Sequence, residues 1–265
     1  MSKINPTIFK AYDIRGLYPS EVNEEAFRDI GQAFVSLLQA KRIAVGQDMR
    51  LSSPSLASAF VEGARSQGAD VVDYGLIGTD MLYYVTVKDQ HDGGAEITAS
   101  HNPQAYNGVK LVAQNAIPLS GDSGISDIRD ILSEQLDLST HKSKGLYSKA
   151  NRFNEYVNHV LSFIDISSIK PFHLVLDAGS GIGGIVAPLL FDRLPCQTTR
   201  LCFEVDGTFP NHEANPLIKQ NRQDLVNAVI SSGADAGIAW DGDADRCFFV
   251  DGTGEFISGD FVTAL

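Results

Sequence analysis

A strand, helix, strand pattern occurs twice in this chain, and this recurrence constrains the fold more than any other feature. The apolar run RIAVG begins at residue 42 and precedes a helix, predicted to be capped by Ser53 and to run to about Gln67, and a second strand, ADVVDYG. The run FHLVLD begins at residue 172, an offset of 130, and precedes an apolar helix and the strand TTRLCFEV. Alternation of this kind is typical of layered domains. We therefore predict an α/β fold of two similar domains in tandem.

The polar segment from Leu138 to Ser148 has the composition of a linker, and it is predicted to separate the two domains. We place the first domain at residues 1–145 and the second at residues 146–253. Residues 254–265 include the apolar run FVTAL, which is too short to bury a helix face. We therefore expect residues 254–265 to begin a third domain, and the chain to be part of a longer protein.

The chain is acidic, with 21 Lys and Arg against 33 Asp and Glu and a net charge of −12. This charge argues against broad attraction to nucleic acid or to anionic membranes, although a local phosphate site remains compatible with it. The longest apolar run is far shorter than the roughly 20 residues of a spanning helix, and the N-terminal residues lack the apolar stretch of a signal peptide. A cytoplasmic protein with no nucleic-acid or membrane partner is expected.

The cysteines are Cys196, Cys202 and Cys247, an odd number without a C-x-x-C spacing. This spacing indicates neither a disulfide framework nor a thiolate zinc site. Buried free thiols are expected.

Three carboxylates alternate along Asp241-Gly-Asp-Ala-Asp-Arg, directly after the apolar strand GIAW. A tight loop with this spacing can direct several oxygens to one point, which a hard cation such as Mg²⁺ or Ca²⁺ makes tolerable. An EF-hand is excluded, because Arg246 stands at the sixth position and Gly252 at the twelfth. Asp241, Asp243 and Asp245 are candidate metal ligands, with a solvated acidic turn as the alternative. Arg246 is either their ion-pair partner or a donor to a phosphate that shares the metal.

A second polar loop, Thr98-Ala-Ser-His-Asn-Pro, leaves the strand GAEI, and Pro103 prevents its continuation as a regular strand. Ser100 is thereby placed on a turn beside His101, the nearest candidate in sequence to activate a nucleophilic hydroxyl. A serine in such a turn is also a common turn former. This loop and the Asp241 loop lie at equivalent places in the two repeats, where α/β sheets usually hold their ligands.

The loop Gly179-Ser-Gly-Ile-Gly-Gly matches the G-x-G-x-x-G pattern after a strand and before a helix, and Glu204 follows about 20 residues later. It also looks like the cofactor loop of S-adenosylmethionine methyltransferases. The alternative is that these glycines only allow close packing of helix against strand.

Four ordered motifs together resemble the α-D-phosphohexomutase family, in its bacterial phosphomannomutase/phosphoglucomutase branch. They are Tyr12-Asp-Ile-Arg-Gly, Thr98-Ala-Ser-His-Asn-Pro, Asn107-Gly-Val-Lys and Asp241-Gly-Asp-Ala-Asp-Arg. The resemblance runs from about Phe9 to the last residue and departs from the family pattern at Asp80 and Glu96. It implies two phosphoglucomutase-like domains, each with a mixed sheet between helices.

The resemblance also implies an activity, the Mg²⁺-dependent interconversion of hexose 1-phosphate and hexose 6-phosphate, with mannose or glucose as the sugar. Ser100 would be the phosphoserine, and hexose 1,6-bisphosphate would be the intermediate and activator. One Mg²⁺ would be bound by Asp241, Asp243, Asp245 and a phosphoserine oxygen. The polar groups expected around the phosphoryl group are Arg15, His101, Asn102, Lys110 and Arg246, with Arg15, His101 and Lys110 expected to act in catalysis.

In the family, the sugar is recognised largely by a third and a fourth domain, so the chain alone is expected to lack useful turnover. Two other functions stay open at this point. One is a nucleotide- or S-adenosylmethionine-dependent enzyme that uses the loop from Gly179 to Gly184. The other is a non-catalytic metal-binding fragment.

Overall fold

The computed structural model describes residues 4–134, 138 and 143–264, which divide into two compact units. The first unit holds the described residues up to Ala99 together with Gln104–Arg152, and the second holds Ser100–Pro103 and the residues from Phe153 onward. Each unit contains one mixed β-sheet and helices, which confirms the predicted tandem α/β architecture. Residues 139–142 of the predicted linker lie outside the described residues.

The first unit has a seven-stranded sheet in the order β1-β5-β4-β2-β3-β7, with β6 paired to β5. Strands β2, β3, β4 and β7 are parallel, whereas β5 is antiparallel to its neighbours β1, β4 and β6. The bounds are β1 (Ile14–Leu17), β2 (Arg42–Gln47), β3 (Asp70–Leu76), β4 (Gly93–Ile97), β5 (Tyr106–Ala113), β6 (Ile117–Pro118) and β7 (Tyr147–Lys149).

The second unit has a five-stranded sheet in the order β12-β11-β10-β8-β9. Strands β8, β9 and β10 are parallel, and β11 and β12 continue the sheet in antiparallel fashion. The bounds are β8 (His173–Asp177), β9 (Gln197–Leu201), β10 (Ala236–Trp240), β11 (Cys247–Asp251) and β12 (Phe256–Ile257).

Helices cover both faces of the first sheet, as two neighbouring glycines of β4 show. A Cβ at Gly93 would touch α1, and a Cβ at Gly94 would touch α3. Because successive residues of a strand point to opposite faces, α1 and α3 lie on opposite sides of the sheet. In the second unit, Gly237 packs against α7 and Trp240 packs against α6. The helices are α1 (Glu24–Leu38), α2 (Ser53–Ser66), α3 (Thr79–Lys88), α4 (Ile125–Ser133), α5 (Phe153–Leu161), α6 (Gly183–Phe191), α7 (Gln223–Ser232) and α8 (Gly259–Ala264).

The two sheets share one topology. The order β5-β4-β2-β3 in the first unit matches β11-β10-β8-β9 in the second, and in each case three parallel strands are followed by one antiparallel strand. Strands β4 and β10 are therefore equivalent, which agrees with the repeat seen in the sequence. Residues 98–103 and residues 241–246 follow these equivalent strands.

The unit boundaries differ from the predicted residue numbers for identifiable reasons. Residues 147–149 form β7, which pairs with β3, so the first unit extends to Arg152 rather than ending at residue 145. Strand β12 pairs with β11, so Phe256 and Ile257 belong to the second sheet. Both strands are very short, and neither has a periodicity that sequence can reveal.

Two smaller expectations are corrected. Ser52, not Ser53, is the residue at the N-cap of α2, because the helix begins at Ser53, whose hydroxyl donates to Asp48 Oδ1 at 2.5 Å. The cysteines are free thiols but not buried, since Cys196 and Cys202 are half-buried and Cys247 is exposed. Within the described ranges, no helix combines the length and apolarity needed to cross a bilayer.

Close contact between α1 and α2 depends on two glycines. A Cβ at Gly63 would lie 2.0 Å from the carbonyl oxygen of Arg28, and a Cβ at Gly31 would lie 2.4 Å from that of Phe60. Both obstructing atoms belong to backbone, so the helices themselves would have to separate. The glycines therefore set the distance between α1 and α2.

We expect Gly63→Ala to lower the free energy of unfolding by about 2 kcal/mol or more, because overpacking outweighs the gain of about 1 kcal/mol in helix propensity. Urea denaturation measures the change as a shift of the midpoint at constant slope. Ser58→Ala is the matched control, since it introduces alanine at an exposed position of the same helix. Equal urea midpoints for the two variants would show that α1 and α2 can move apart without loss of stability.

A buried polar network lies in the first unit around His91, whose side chain is fully buried. The Tyr74 hydroxyl donates to Asp89 Oδ2 at 2.5 Å, so it accepts from His91 Nε2 at 2.8 Å. Arg152 Nε also donates to Asp89, at 3.2 Å. Burial, aided by the charge of Arg42, lowers the pKa of His91 to about 4, against the partly opposing charges of Asp89 and Asp92. His91 is therefore neutral in the folded protein at pH 7.

This neutral histidine predicts a loss of stability in acid. Because the pKa of His91 is lower in the folded chain than the unfolded value near 6.5, the unfolded state binds the proton first as the pH falls. The free energy of unfolding should therefore decline as the pH drops from about 6.5 towards 4. His91→Gln should flatten this decline, and replacement of the exposed His159 by glutamine should leave it unchanged. Chemical denaturation at a series of pH values provides the measurement, and an identical slope in His91→Gln would refute the assignment.

Candidate active site

The serine of the first polar loop occupies an unusual backbone conformation. Residues Ser100–Pro103 follow β4 and are counted with the second unit. Ser100 has φ 52°, in the left-handed region that side chains other than glycine rarely adopt, and only 2 % of the residue is exposed. Strained conformations of this kind persist where surrounding contacts hold them, and they are frequent at functional sites.

The carboxylate loop begins where β10 ends and is closed by its own backbone. The Asp241 N–H donates to the Arg246 carbonyl at 3.3 Å, and the Ala244 N–H donates to the Asp241 carbonyl at 3.0 Å. Asp241 and Asp243 are fully buried, whereas Asp245 is exposed. One carboxylate oxygen from each of these three residues lies within 4.8 Å of the others. The loop therefore concentrates three acidic groups at one point.

Hydrogen bonds join the serine loop to the carboxylate loop. The Ser100 hydroxyl donates to Asp241 Oδ2 at 2.8 Å. Arg246 Nη2 donates to Ser100 Oγ and to His101 Nδ1, each at 2.5 Å, and it also pairs with Asp241. Arg246 Nε lies 3.4 Å from Asp245 Oδ1. The guanidinium group thus bridges the Ser100 hydroxyl and the acidic cluster.

The electrostatics of this cluster call for an additional positive charge. Burial, together with the negative charge of Asp243, raises the pKa of Asp241 above the usual range of a carboxyl group. The donor set of Asp241, Asp243 and Asp245 consists of carboxylate oxygens, which suit Mg²⁺ rather than a soft metal ion. The Ser100 hydroxyl on Asp241 would place a phosphoserine oxygen beside the same acids. The residues therefore fit a magnesium ion.

The remaining predicted residues fall into two groups. Asn102 lies in the segment Ser100–Pro103, in the same unit as the carboxylate loop. Arg15 is on β1, where it pairs with Asp13, and Lys110 is on β5 with its Nζ 3.4 Å from Thr79 Oγ1. Arg15 and Lys110 belong to the first unit.

The glycine-rich loop of the second unit is occupied by contacts within the protein. The backbone N–H of Gly179 donates to Asp177 Oδ1, that of Ser180 to the Cys202 carbonyl, and that of Ile182 to the Gly242 carbonyl. A Cβ at Gly181 would lie 2.7 Å from the same Gly242 carbonyl oxygen. These N–H groups are therefore unavailable to a pyrophosphate, and the loop supports the carboxylate loop instead. The geometry favours close packing over cofactor binding.

One cluster escaped the sequence analysis. Asp177, Cys202 and His212 bring an oxygen, a sulfur and a nitrogen atom within 4.8 Å of one another in the second unit. Asp177 ends β8 and Cys202 directly follows the neighbouring strand β9, but no sequence pattern places His212 beside them.

Comparison with known protein families gives two matches along the chain. Residues 6–137 match the family model described as phosphoglucomutase/phosphomannomutase, alpha/beta/alpha domain I. Residues 154–254 match the model for alpha/beta/alpha domain II of the same family.

Individual relatives agree with these matches. The chain is 44% identical over 257 residues to a protein of Xanthomonas campestris named phosphohexose mutases, and 41% identical over 266 residues to a phosphomannomutase of Escherichia coli K12. These alignments cover 97% and 98% of this chain but 57% and 58% of the relatives. A solved structure of a phosphoglucomutase/phosphomannomutase family protein from Burkholderia thailandensis superposes with a TM-score of 0.87 at 33% identity, covering 97% of this chain and 57% of that one. The chain thus spans less than three fifths of the length of these relatives.

Proposed function

Because this chain belongs to the phosphoglucomutase/phosphomannomutase family, we propose that it carries the phosphoryl-donor serine and the cation site of a phosphohexomutase. The reaction interconverts hexose 1-phosphates and hexose 6-phosphates, with mannose or glucose as the sugar. The observation that carries the proposal is the Ser100 hydroxyl, held 2.8 Å from Asp241 and contacted by Arg246 within a cluster of three carboxylates. A simple turn-forming serine has no need of such surroundings.

Phosphoryl transfer begins from phosphorylated Ser100. A sugar hydroxyl oxygen attacks the phosphorus, the bond from phosphorus to Ser100 Oγ breaks, and the hydroxyl proton passes to a base. This yields a hexose 1,6-bisphosphate and a serine oxygen. That oxygen attacks the other phosphorus, the bond from this phosphorus to the sugar oxygen breaks, and the sugar oxygen takes the proton back from the base to give the isomeric monophosphate. Each cycle therefore returns Ser100 to its phosphorylated form, and the net reaction is an isomerisation.

Arg246 is suited to both forms of Ser100. It donates to the Ser100 oxygen while it pairs with Asp241. A guanidinium group can also donate to phosphoryl oxygens, so Arg246 can stabilise the charge on the transferring group. We assign phosphate binding to Arg246, Asn102, Arg15 and Lys110, with His101 beside the reacting oxygen at 3.4 Å from Ser100 Oγ.

Mg²⁺ would be held by Asp241, Asp243, Asp245 and a phosphoserine oxygen, where it supplies Lewis-acid polarisation of the phosphoryl oxygens. A phosphoserine adds about −1.5 to −2 charges at pH 7. Beside three carboxylates such a charge is strongly unfavourable without a dication. The acidic loop thus makes the reactive state of the serine dependent on the cation.

The experiment that tests this function is peptide-resolved mass spectrometry after incubation of the chain with Mg²⁺ and glucose 1,6-bisphosphate. We expect one phosphoryl group, on Ser100. A phosphoryl group on another residue would contradict the assignment. A second incubation contains, in addition, the C-terminal domains of the Xanthomonas relative, and it tests whether phosphorylation of Ser100 requires those domains. An unmodified Ser100 in both incubations would refute the proposal.

A further inference from the structure

The cluster of Asp177, Cys202 and His212 lies at the carboxyl ends of two neighbouring parallel strands. Asp177 is the last residue of β8, and Cys202 directly follows β9. Asp177 and Leu201 are register partners, so the residues that follow lie side by side. His212 comes from the loop that leads on from Cys202. Carboxyl ends of parallel strands are the usual location of ligand sites in α/β sheets.

Two of the three distances between the donor atoms are close to those of a tetrahedral zinc site, and the third pair lies within 4.8 Å. His212 Nε2 lies 3.0 Å from Asp177 Oδ2 and 3.7 Å from Cys202 Sγ. Zinc binds sulfur at about 2.3 Å, and nitrogen and oxygen at about 2.0–2.2 Å. Around a tetrahedral centre these bond lengths separate N from S by about 3.6 Å and N from O by about 3.4 Å. Small side-chain movements of a few tenths of an ångström bring the observed spacings to these values.

Outer contacts orient two of the donors for a metal ion. His212 Nδ1 lies 3.0 Å from the Glu213 carbonyl oxygen, so Nδ1 carries a proton and Nε2 faces the cluster. The Gly179 N–H donates to Asp177 Oδ1 at 2.9 Å, which directs Oδ2 to the same point. Ligating histidines in proteins are held in this way, by a backbone carbonyl or carboxylate on the other ring nitrogen.

We infer that Asp177, Cys202 and His212 form a zinc site with water in the fourth position. Thiolate and imidazole ligands favour zinc over magnesium, whereas the carboxylate loop at Asp241 offers only oxygen. The ion joins the ends of β8 and β9 to the loop that carries His212, so its binding stabilises the second unit. The zinc ion displaces the proton that His212 otherwise shares with Asp177, and its binding therefore strengthens as the pH rises.

Cobalt substitution tests the site, because Co²⁺ bound to a thiolate in tetrahedral geometry gives a near-ultraviolet charge-transfer band and strong visible absorption. We expect both signals in the native chain at one equivalent of Co²⁺, and their loss when Zn²⁺ is added. Cys202→Ser should abolish the charge-transfer band. Cys196→Ser and Cys247→Ser are matched controls and should keep it. Cobalt held only at the Asp241 loop would lack the thiolate band.

A second variant, His212→Gln, and a second measurement, thermal unfolding, distinguish the loss of a zinc ligand from misfolding. Cys202→Ser changes one atom, and its thermal unfolding midpoint without metal should stay near that of the native chain. Zn²⁺ should raise the midpoint of the native chain, and Cys202→Ser and His212→Gln should each weaken zinc binding by at least about 100-fold. The inference would be overturned by a native chain without the thiolate band, or by a Cys202→Ser variant that binds zinc equally well. The contact between His212 and Asp177 would then be only an ion pair.

Discussion

Replacement of Ser100 by alanine is expected to reduce mutase turnover by about 10³-fold or more, because the proposed mechanism requires the Ser100 oxygen to receive and return the phosphoryl group. The assay requires a chimera in which this chain is joined to the C-terminal remainder of the Xanthomonas relative. Conversion of mannose 1-phosphate to mannose 6-phosphate is then followed after priming with glucose 1,6-bisphosphate. The chain without the added domains is expected to show no useful turnover.

The control for this prediction is Ser58→Ala, which removes an exposed hydroxyl from α2. It should leave turnover unchanged. A Ser100→Ala chimera with native activity would mean that Ser100 only forms a turn. Rapid conversion by the unextended chain would instead show that the further domains are dispensable.

Replacement of Asp243 by asparagine is expected to stabilise the chain without Mg²⁺ and to make it less stable than the native chain when Mg²⁺ is added. Without the cation, the variant should unfold at a higher temperature than the native chain, because it removes the repulsion between two buried carboxylates. With Mg²⁺ at 100 times its dissociation constant, the native chain should gain about 2.7 kcal/mol, and the variant should gain little. Turnover of the chimera should also fall by about 100-fold or more.

Thermal unfolding with EDTA measures the stability of Asp243→Asn without the cation, and thermal unfolding with Mg²⁺ measures its stability with the cation. Asp224→Asn is the matched control, since Asp224 is an exposed carboxylate in the first turn of α7. Its response to Mg²⁺ should equal that of the native chain. An Asp243→Asn variant with the full response to Mg²⁺ would place the cation elsewhere.

The main features of the fold and of the reactive loops could be predicted because local patterns carry them. Ser100 and Asp241 each follow a buried strand, and the repeat places those strands at equivalent positions. The resemblance to a known family, and not the topology of either sheet, predicts that Ser100 lies beside the carboxylates. The contact between Ser100 and Asp241 spans 141 residues, and no local propensity specifies its length.

Other features depend on tertiary contacts that a single sequence does not reveal. The network from His91 through Tyr74 to Asp89 joins residues of β3 and of the turn after α3, and only packing brings them together. Strand β7 was missed because three exposed residues at a sheet edge leave no alternating pattern. The spacing of the cysteines does not indicate the cluster of Asp177, Cys202 and His212, because these three residues are far apart in the sequence.

The matching strand order of the two sheets has an evolutionary consequence. If both units descend from one duplicated ancestor, the turn after its third parallel strand has diverged, so that one copy carries Ser100 and the other carries Asp241, Asp243 and Asp245. The two turns are now hydrogen-bonded to one another, so a substitution in one of them changes the surroundings of the other. Two stretches of the gene that lie about 140 residues apart are therefore expected to change together rather than independently.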